Sequence, residues 1–404
     1  MKILACGDHM KSPTGYGRVS NYIYRYFANK GHIVYHAPAT MNFNPPETIL
    51  PNIVLLPSIN NSISDAVRYY DQLLKPDLVY NADDFFHSET YIDVDLHCVT
   101  TQYGIIDGPD AGRCYKHIIE KTDVPVTPSQ YGHKQLLEYN KNSLYIPHGV
   151  DLNIYQRKDE DIRKNLKKQL GLQDKFVYGC VNRNIWRKQY INLLKAFKKV
   201  HEKHKDTALL LVCDPNDGAG SNLYNWAKFL DLKMSNNVNE DADIRLHPAY
   251  LNILLPLTEQ QLCDAYNAMD VMASASLGEG FGLSTIESQA CGTPVVIGDN
   301  TANTELVKGH GFLYKKLLDC NGDPVMFAPV LKDITYNYEI PDFGDMYNKM
   351  LEAYERTNLL DIYKRECYEF AIKYDWNKVL PLWDQVLNFK KETPKATETP
   401  KENS

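Results

Sequence analysis

The sequence predicts an α/β chain of two Rossmann-like domains, each a doubly wound parallel sheet, facing each other across a cleft. Three observations carry that expectation. At 404 residues the chain exceeds one ordinary core, so two domains of roughly 150 to 200 residues are the starting point. Short apolar runs alternate with amphipathic helical patterns, which is the grammar of a parallel sheet. The alternation breaks near residue 150 and restarts, without the second half repeating the first half's sequence.

Residues 2–6 read as the first buried strand, followed by the turn-rich Lys11-Ser12-Pro13-Thr14-Gly15-Tyr16-Gly17-Arg18. Val19, Tyr22, Ile23, Tyr26 and Phe27 recur at spacings of three and four, predicting a helix that stops at Asn29-Lys30-Gly31. His32 to His36 is the second strand. A glycine loop between strand and helix lies at the carboxyl end of its strand, where ligands bind. Gly15-Tyr16-Gly17 lacks the spacing of a dinucleotide fingerprint, and reads equally as a plain turn. Strands are predicted at Ile53–Leu56, Leu78–Tyr80, Cys98–Thr101, Val124–Val126 and Leu144–Ile146, with helices at 63–75, 112–121 and 130–140 between them. The turn cluster Pro147-His148-Gly149-Val150-Asp151 and the charged run 156–169 then mark a boundary between domains 1–150 and 151–373.

The second half opens with strand Phe176–Val181, a polar loop Asn182 to Gln189 holding Arg183, Arg187 and Lys188, and an amphipathic helix Tyr190–His201. Ala208–Cys213 is the next strand, and Gln260–Met269 a helix opened by Thr258-Glu259. Val271 to Ser274 leads into Leu277-Gly278-Glu279-Gly280-Phe281-Gly282-Leu283, a glycine-broken loop, then about two turns of helix, Gly292-Thr293-Pro294, and the short strand Val295–Ile297. Segment 374–392 carries a last helix, Lys378–Phe389, and the tail 393–404, with no large apolar residue, is expected to be disordered.

Composition excludes several classes. A net charge of −7 disfavours a protein that grips nucleic acid mainly by charge. Nine cysteines with no Cys-x-x-Cys pair fit reduced thiols packed as small apolar groups in the cytoplasm. The apolar N-terminal run is too short for a signal peptide, and no run of about 18 apolar residues exists, so a soluble cytoplasmic protein, at most peripheral on a membrane, is expected. Asp93-Val94-Asp95 and Asp241-Ala242-Asp243 are weak metal candidates, and no histidine pattern, P-loop or nucleophile elbow occurs; no metal is expected.

The chemistry concentrates in the loop-to-helix stretch. Glycines 278, 280 and 282 let the backbone approach a ligand, and a helix N-terminus offers N–H groups to an anion. Glu279, wedged between glycines, contributes little to a fold. Glu287 has a structural alternative, because Ser284-x-x-Glu287 has the form of a helix capping box. Arg183 and Lys188, five apart on one strand-to-helix loop, can converge on a diphosphate. Together these features point to a phosphate-bearing ligand whose hydroxyls are held by two acids.

The stretch from Glu279 through Glu287 to Val296 resembles the Glu-x7-Glu signature of retaining, GT-B-fold glycosyltransferases of glycosyltransferase family 4. Leu262 to Val271, Gly15-Tyr16-Gly17, Pro76-Asp77-Leu78-Val79, His148-Gly149-Val150-Asp151, Arg183 with Lys188, and Gly311-Phe312-Leu313 are similar to that family in the same order. The resemblance implies a metal-independent, cofactor-free hexosyltransferase that moves a sugar from a UDP-sugar or GDP-sugar donor to a glycan, lipid-linked or other hydroxyl acceptor. A nucleic-acid acceptor is a narrower option. By analogy Glu287 holds the ribose, Glu279 the donor sugar, backbone near Gly280, Phe281, Gly282 and Leu283 meets sugar and phosphate, Arg183 and Lys188 neutralise the diphosphate, and Gly15 to Gly17 cover it. The segment after 373 crosses back to the first domain.

The family often has histidines where this chain reads Asn81-Ala82-Asp83-Asp84 and Gln102-Tyr103-Gly104, making Asp83, then Tyr103, the candidates that face sugar or acceptor. Glu305, in a polar stretch, reads as a surface loop. The alternatives are a GT-B phosphorylase, or a catalytically silent sugar-nucleotide-binding partner protein.

Overall fold

A computed structural model describes residues 1–39, 47–85, 91–93, 96–248, 257–329 and 336–391. Asp95 of the Asp-x-Asp pair and the tail 393–404 lie outside the described residues.

The first sheet comprises β1 (Lys2–Gly7), β2 (Ile33–Pro38), β3 (Glu47–Leu50), β4 (Ile53–Leu55), β5 (Leu78–Ala82), β6 (Val99–Tyr103), β7 (Val124–Thr127) and β8 (Leu144–Tyr145). Its order is β3-β4-β2-β1-β5-β6-β7-β8, parallel throughout except for the short β3, which runs antiparallel to β4 at the edge. The helices are α1 (Gly15–Asn29), α2 (Ile63–Leu74), α3 (Ala111–Cys114), α4 (Lys116–Lys121) and α5 (Gln130–Leu137). Central strands such as β5 are buried along their whole length, as expected when helices cover both faces. The helix predicted over 112–121 is broken at Tyr115, whose ring stacks on Phe85.

After α6 (Glu160–Gln169) the second sheet begins, with β9 (Phe176–Val181), β10 (Thr207–Val212), β11 (Met234–Ser235), β12 (Ile244–Leu246), β13 (Val271–Ala273), β14 (Val295–Gly298) and β15 (Phe312–Tyr314). All pairings are parallel, in the order β11-β12-β10-β9-β13-β14-β15. Its helices are α7 (Tyr190–Lys203), α8 (Leu223–Phe229), α9 (Glu259–Asn267), α10 (Leu283–Ala290), α11 (Thr301–Val307), α12 (Phe343–Glu355) and α13 (Thr357–Ala371), with a small antiparallel pair β16 (Met326–Phe327) and β17 (Tyr338–Glu339).

In each sheet the strand order turns back once, between β1 and β5 and between β9 and β13. At such a switch point the loops leaving two adjacent strands diverge and open a crevice at their carboxyl ends. Residues 8–14 and 83–84 leave the first switch point; residues 182–189 and 274–282 leave the second.

The chain ends with α14 (Trp376–Val379), a 3-10 turn at Leu380–Trp383 and α15 (Asp384–Leu387). This replaces the single predicted helix Lys378–Phe389, because Pro381 has no N–H to give to a continuing α-helix. The segment lies on the first domain. Trp376 stacks on Tyr22 at 4.8 Å, and the fully buried Trp383 packs edge-on against Phe27, Tyr80 and Tyr103. The outgoing and returning chain segments pair at the crossing, where the Val150 N–H donates to Tyr374 O at 2.8 Å and the Trp376 N–H to Val150 O at 3.3 Å. Gly149 is required there, since a Cβ would stand 2.3 Å from the Trp376 ring.

Candidate active site

At the second switch point Ser276 to Gly282 runs into α10. Glu279 is 9% exposed, and its carboxylate is gripped by the Lys188 ammonium, with Arg187 Nη1 at 3.5 Å. Burial alone would raise its carboxyl, but Lys188 and then Arg187 outweigh that and hold it down at about 2. The same burial lowers the Lys188 ammonium from the ordinary lysine range against the pull of Glu279. The Glu279 N–H donates to Thr301 Oγ1 at 2.9 Å. Thr301 has φ +49°, a left-handed conformation costly for a β-branched residue, so this acid is held by strained backbone as well as by charge.

Two of the three glycines face the other domain. A Cβ on Gly280 would lie 2.3 Å from Ile105 Cβ, and one on Gly278 would lie 2.1 Å from Asp107 O. In this closed arrangement they admit the loop after β6, where the sequence suggested approach to a ligand. Gly282 has φ +108° and caps α10 without a side chain. Phe281 is buried, its ring 5.0 Å from that of His148.

Glu287 is not a capping-box acid. It occupies the fifth residue of α10, which has Gly282 as its cap, while the helix that does close with a capping box is α9, through Thr258 and Gln261. Glu287 is 3% exposed, accepts from Tyr266 OH at 2.9 Å, and pairs with Arg18 of the first domain. Arg18 also donates to Tyr155 OH at 3.0 Å and lies 3.3 Å from Glu259.

From the first switch point, Gly15 and Gly17 lie in the first turn of α1 rather than in a free loop, with Thr14 Oγ1 capping the Gly17 N–H. Gly17 is needed sterically, because a Cβ would come within 2.6 Å of Ser12 O. Gly15 abuts the second domain directly, a Cβ there falling 3.3 Å from Leu283 Cδ1. Tyr16 OH donates to Asp84 at 3.2 Å, and the half-buried Asp83 accepts the Asp84 N–H at 2.8 Å.

Three expectations change. Arg183 does not join Lys188: its exposed guanidinium forks onto Asp217 at 2.6 and 3.1 Å, and the neighbouring Arg187 takes the place beside Lys188. Tyr103 is buried, its OH 2.6 Å from His148 Nδ1 and its ring against Trp383, and is not presented to the cleft. Glu305 is no surface-loop residue: it sits on α11 and accepts the N–H groups of Gln130 and Tyr131 at 3.0 and 3.3 Å, capping α5 of the opposite domain.

Sequence reasoning missed Arg18, Asp107, Tyr266 and Thr301. Buried Asp107 accepts from Tyr336 OH at 2.5 Å and from Tyr338 OH at 3.3 Å, and lies 3.5 Å from Arg187 Nε, tying the first domain to the second. Arg18 was within reach, directly after Gly15-Tyr16-Gly17. Asp93 is spent on His117 and Lys121, and Asp243 on His201 and the Lys233 N–H. Among the described residues no group of three or more His, Cys, Asp or Glu could hold a metal ion, and no helix is long and apolar enough to cross a membrane.

The site thus offers two buried acids, a lysine–arginine pair, and two helix N-termini, of α1 and α10, meeting at Gly15 and Leu283. Such a set suits a ligand with hydroxyls at one end and an anion between.

Known proteins resemble the chain in part of its sequence and in its fold. Residues 162–323 match the family model described as Glycosyl transferases group 1. The D-inositol 3-phosphate glycosyltransferase of Corynebacterium jeikeium is 27% identical over 195 residues, 46% of this chain and 44% of that protein. A GDP-mannose-dependent alpha-(1-6)-phosphatidylinositol monomannoside mannosyltransferase of Mycolicibacterium smegmatis is 29% identical over 171 residues, 40% of each chain. The chain thus spans under half the length of these curated relatives. Among solved structures, a sucrose-phosphate synthase from Thermosynechococcus elongatus superposes with a TM-score of 0.73 at 15% identity, covering 96% of this chain and 98% of that one. Anabaena HepE in complex with UDP-glucose gives 0.65 at 16% identity, covering 96% and 99%. At such identity these last two speak for the fold alone. The protein is therefore a chain of GT-B fold whose residues 162–323 resemble the glycosyl transferases group 1 family.

Proposed function

We propose that the protein is a retaining glycosyltransferase that moves a sugar from a nucleoside diphosphate sugar, UDP- or GDP-linked, to an acceptor hydroxyl without a metal. The observation that carries this reading is the pair Glu279 and Glu287, eight residues apart and both buried, on either side of an α10 N-terminus that no side chain caps. Glu287 is the acid for the ribose hydroxyls and Glu279 the one for the donor sugar. Lys188 and Arg187, beside Glu279, supply cationic charge for the diphosphate, and Arg183 reaches it by leaving Asp217.

The leaving group is a nucleoside diphosphate whose negative charge grows as the sugar–oxygen bond breaks. Fixed cations and helix N-termini stabilise that charge without reorganising, which is the role a metal plays elsewhere. A phosphate oxygen on the same face takes the acceptor's proton, so the configuration at the sugar is kept. The acceptor sits against the first domain, with Asp83 the group nearest to it, and is a glycan, a lipid-linked sugar or another hydroxyl compound. A curated relative named for its dependence on GDP-mannose supports a nucleotide-sugar donor.

A thermal-shift series of UDP-, GDP- and ADP-sugars with chelator present tests it. One nucleotide series should stabilise the protein, and Glu287→Ala should weaken that shift. An equal response to every nucleotide, or none, would remove the donor site; stabilisation that needs a divalent cation would remove the metal-free mechanism.

A further inference from the structure

In this structure both oxygens of Glu287 are already engaged. Oε2 takes the hydroxyl of Tyr266, a buried residue of α9 packed beneath α10, and Oε1 takes the guanidinium of Arg18 from the first domain. Each oxygen keeps a further lone pair, but the cavity beside Glu287 is only about 10 Å³ and is lined by Arg18, Tyr155, Glu259 and Leu283, so a ribose reaches the carboxylate only if one of its present partners moves aside. Tyr266 cannot leave without unpacking two helices, whereas Arg18 leaves when the domains part. Space demands the same motion, since even a Cβ on Gly15 of α1 would stand 3.3 Å from Leu283 Cδ1 of α10, which leaves no gap for a nucleotide.

We propose that Arg18 is a latch that holds the empty cleft shut and is displaced by the donor. Without nucleotide its guanidinium neutralises Glu287 and is steadied by Tyr155 OH and Glu259. When ribose hydroxyls take Glu287, Arg18 transfers to the diphosphate. Two observations favour that destination. Arg18 stands in the first turn of a 15-residue helix whose N-terminus meets that of α10, so a released guanidinium remains where two helix dipoles already favour an anion. Its Nε is buried with no hydrogen-bond partner among the described residues, leaving a donor unspent in the latched state that a phosphate oxygen can take. One side chain thereby opposes the binding of the nucleoside part and favours the binding of the phosphates. The consequence is selectivity: a nucleoside alone meets the cost of the latch without the return that a diphosphate brings.

The proposal rests on the donor-site reading above, and the experiment separates the two. Wild type, Arg18→Ala and Arg18→Lys are titrated calorimetrically with uridine, guanosine, UDP and GDP, and the ligand-free proteins are compared by small-angle scattering. In the nucleotide series that binds, Arg18→Ala should bind the nucleoside at least about five-fold tighter than wild type, because no latch is left to displace. The preference for diphosphate over nucleoside should shrink by about ten-fold. Ligand-free Arg18→Ala should have the larger radius of gyration. Arg18→Lys, keeping the charge but not the fork, should fall between. Nucleoside binding by Arg18→Ala that is unchanged or weaker overturns the latch while UDP or GDP binding by wild type leaves the donor site standing. If wild type binds neither UDP nor GDP, the donor site fails and the latch with it.

Discussion

The two acids of the cleft are both buried and both paired with cations, yet they are held in opposite ways. Glu279 is gripped by its own domain, through Lys188, Arg187 and the Thr301 hydroxyl. Glu287 takes its cation from the other domain, through Arg18. The first pair is fixed whenever the second domain is folded; the second exists only while the domains touch. A charge that must be in place before a ligand arrives belongs to the first kind, and a charge that responds to the ligand belongs to the second.

Four measurements would sharpen or break that contrast. The largest effect is expected for Lys188→Ala, which leaves the buried Glu279 with Arg187 as its remaining cation. Breaking a buried pair on one side costs about 3 kcal/mol or more of folding stability, read from chemical denaturation. A loss below about 1 kcal/mol would mean that Glu279 is not fixed by its own domain.

The second is pH. Glu279 is held at about 2 in the folded protein against an ordinary value near 4.5. Its carboxyl is depressed, so its contribution is fully present above about pH 4.5 and is lost as pH falls towards about 2, amounting to roughly 3 kcal/mol at most. Wild type should lose its stability advantage over Lys188→Ala across that window. An advantage that persists unchanged at pH 2 would show that the pair is not ionic.

Third, Glu287→Gln keeps the shape but not the charge. Because Arg18 is partly exposed and can turn to solvent when the cleft opens, the variant should lose clearly less stability than Lys188→Ala while its ligand-free form opens, seen as a raised radius of gyration. A loss as large as that of Lys188→Ala would erase the distinction between the two acids.

The smallest change is expected for Glu305→Gln. The carboxylate on the α5 N-terminus contributes about 0.5 kcal/mol. Hydrogen exchange at Gln130 and Tyr131 should quicken, without the same change in α10. Quickening spread over both domains would assign Glu305 to global stability instead.

What was legible beforehand follows from where the information lies. The central strands announced themselves because a parallel strand covered on both faces is buried along its length and therefore mostly apolar, as Leu78 to Ala82 and Thr207 to Val212 are. The helix α11 did not, since it opens at Asn300 without a side-chain cap and its first residue has positive φ. The two acids could be picked out locally, by glycine spacing and by their separation across one loop-to-helix junction. Their partners could not. Choosing Arg187 over Arg183 needed the path of the polar loop Asn182 to Gln189, and choosing Arg18 needed to know which surfaces of two domains meet. Asp107 carries no local signal at all, and its role depends on Arg187, Tyr336 and Tyr338, far from it in the chain.

The paired crossings at Val150 and Asp375 bear on how such a cleft moves. A single connecting strand would act as a swivel, free to turn in any direction and to let one half wander from the other. Two strands hydrogen-bonded side by side, with Trp376 wedged against Gly149 and Tyr22, make a door hinge with essentially one axis. A separation of the two halves on such a hinge would follow one path and would bring Arg18 and Glu287 back in register on closing. The register of the closed site is then set right beside it, because Gly149, Val150 and Trp376 of the crossing line the same cavity as Arg18 and Glu287.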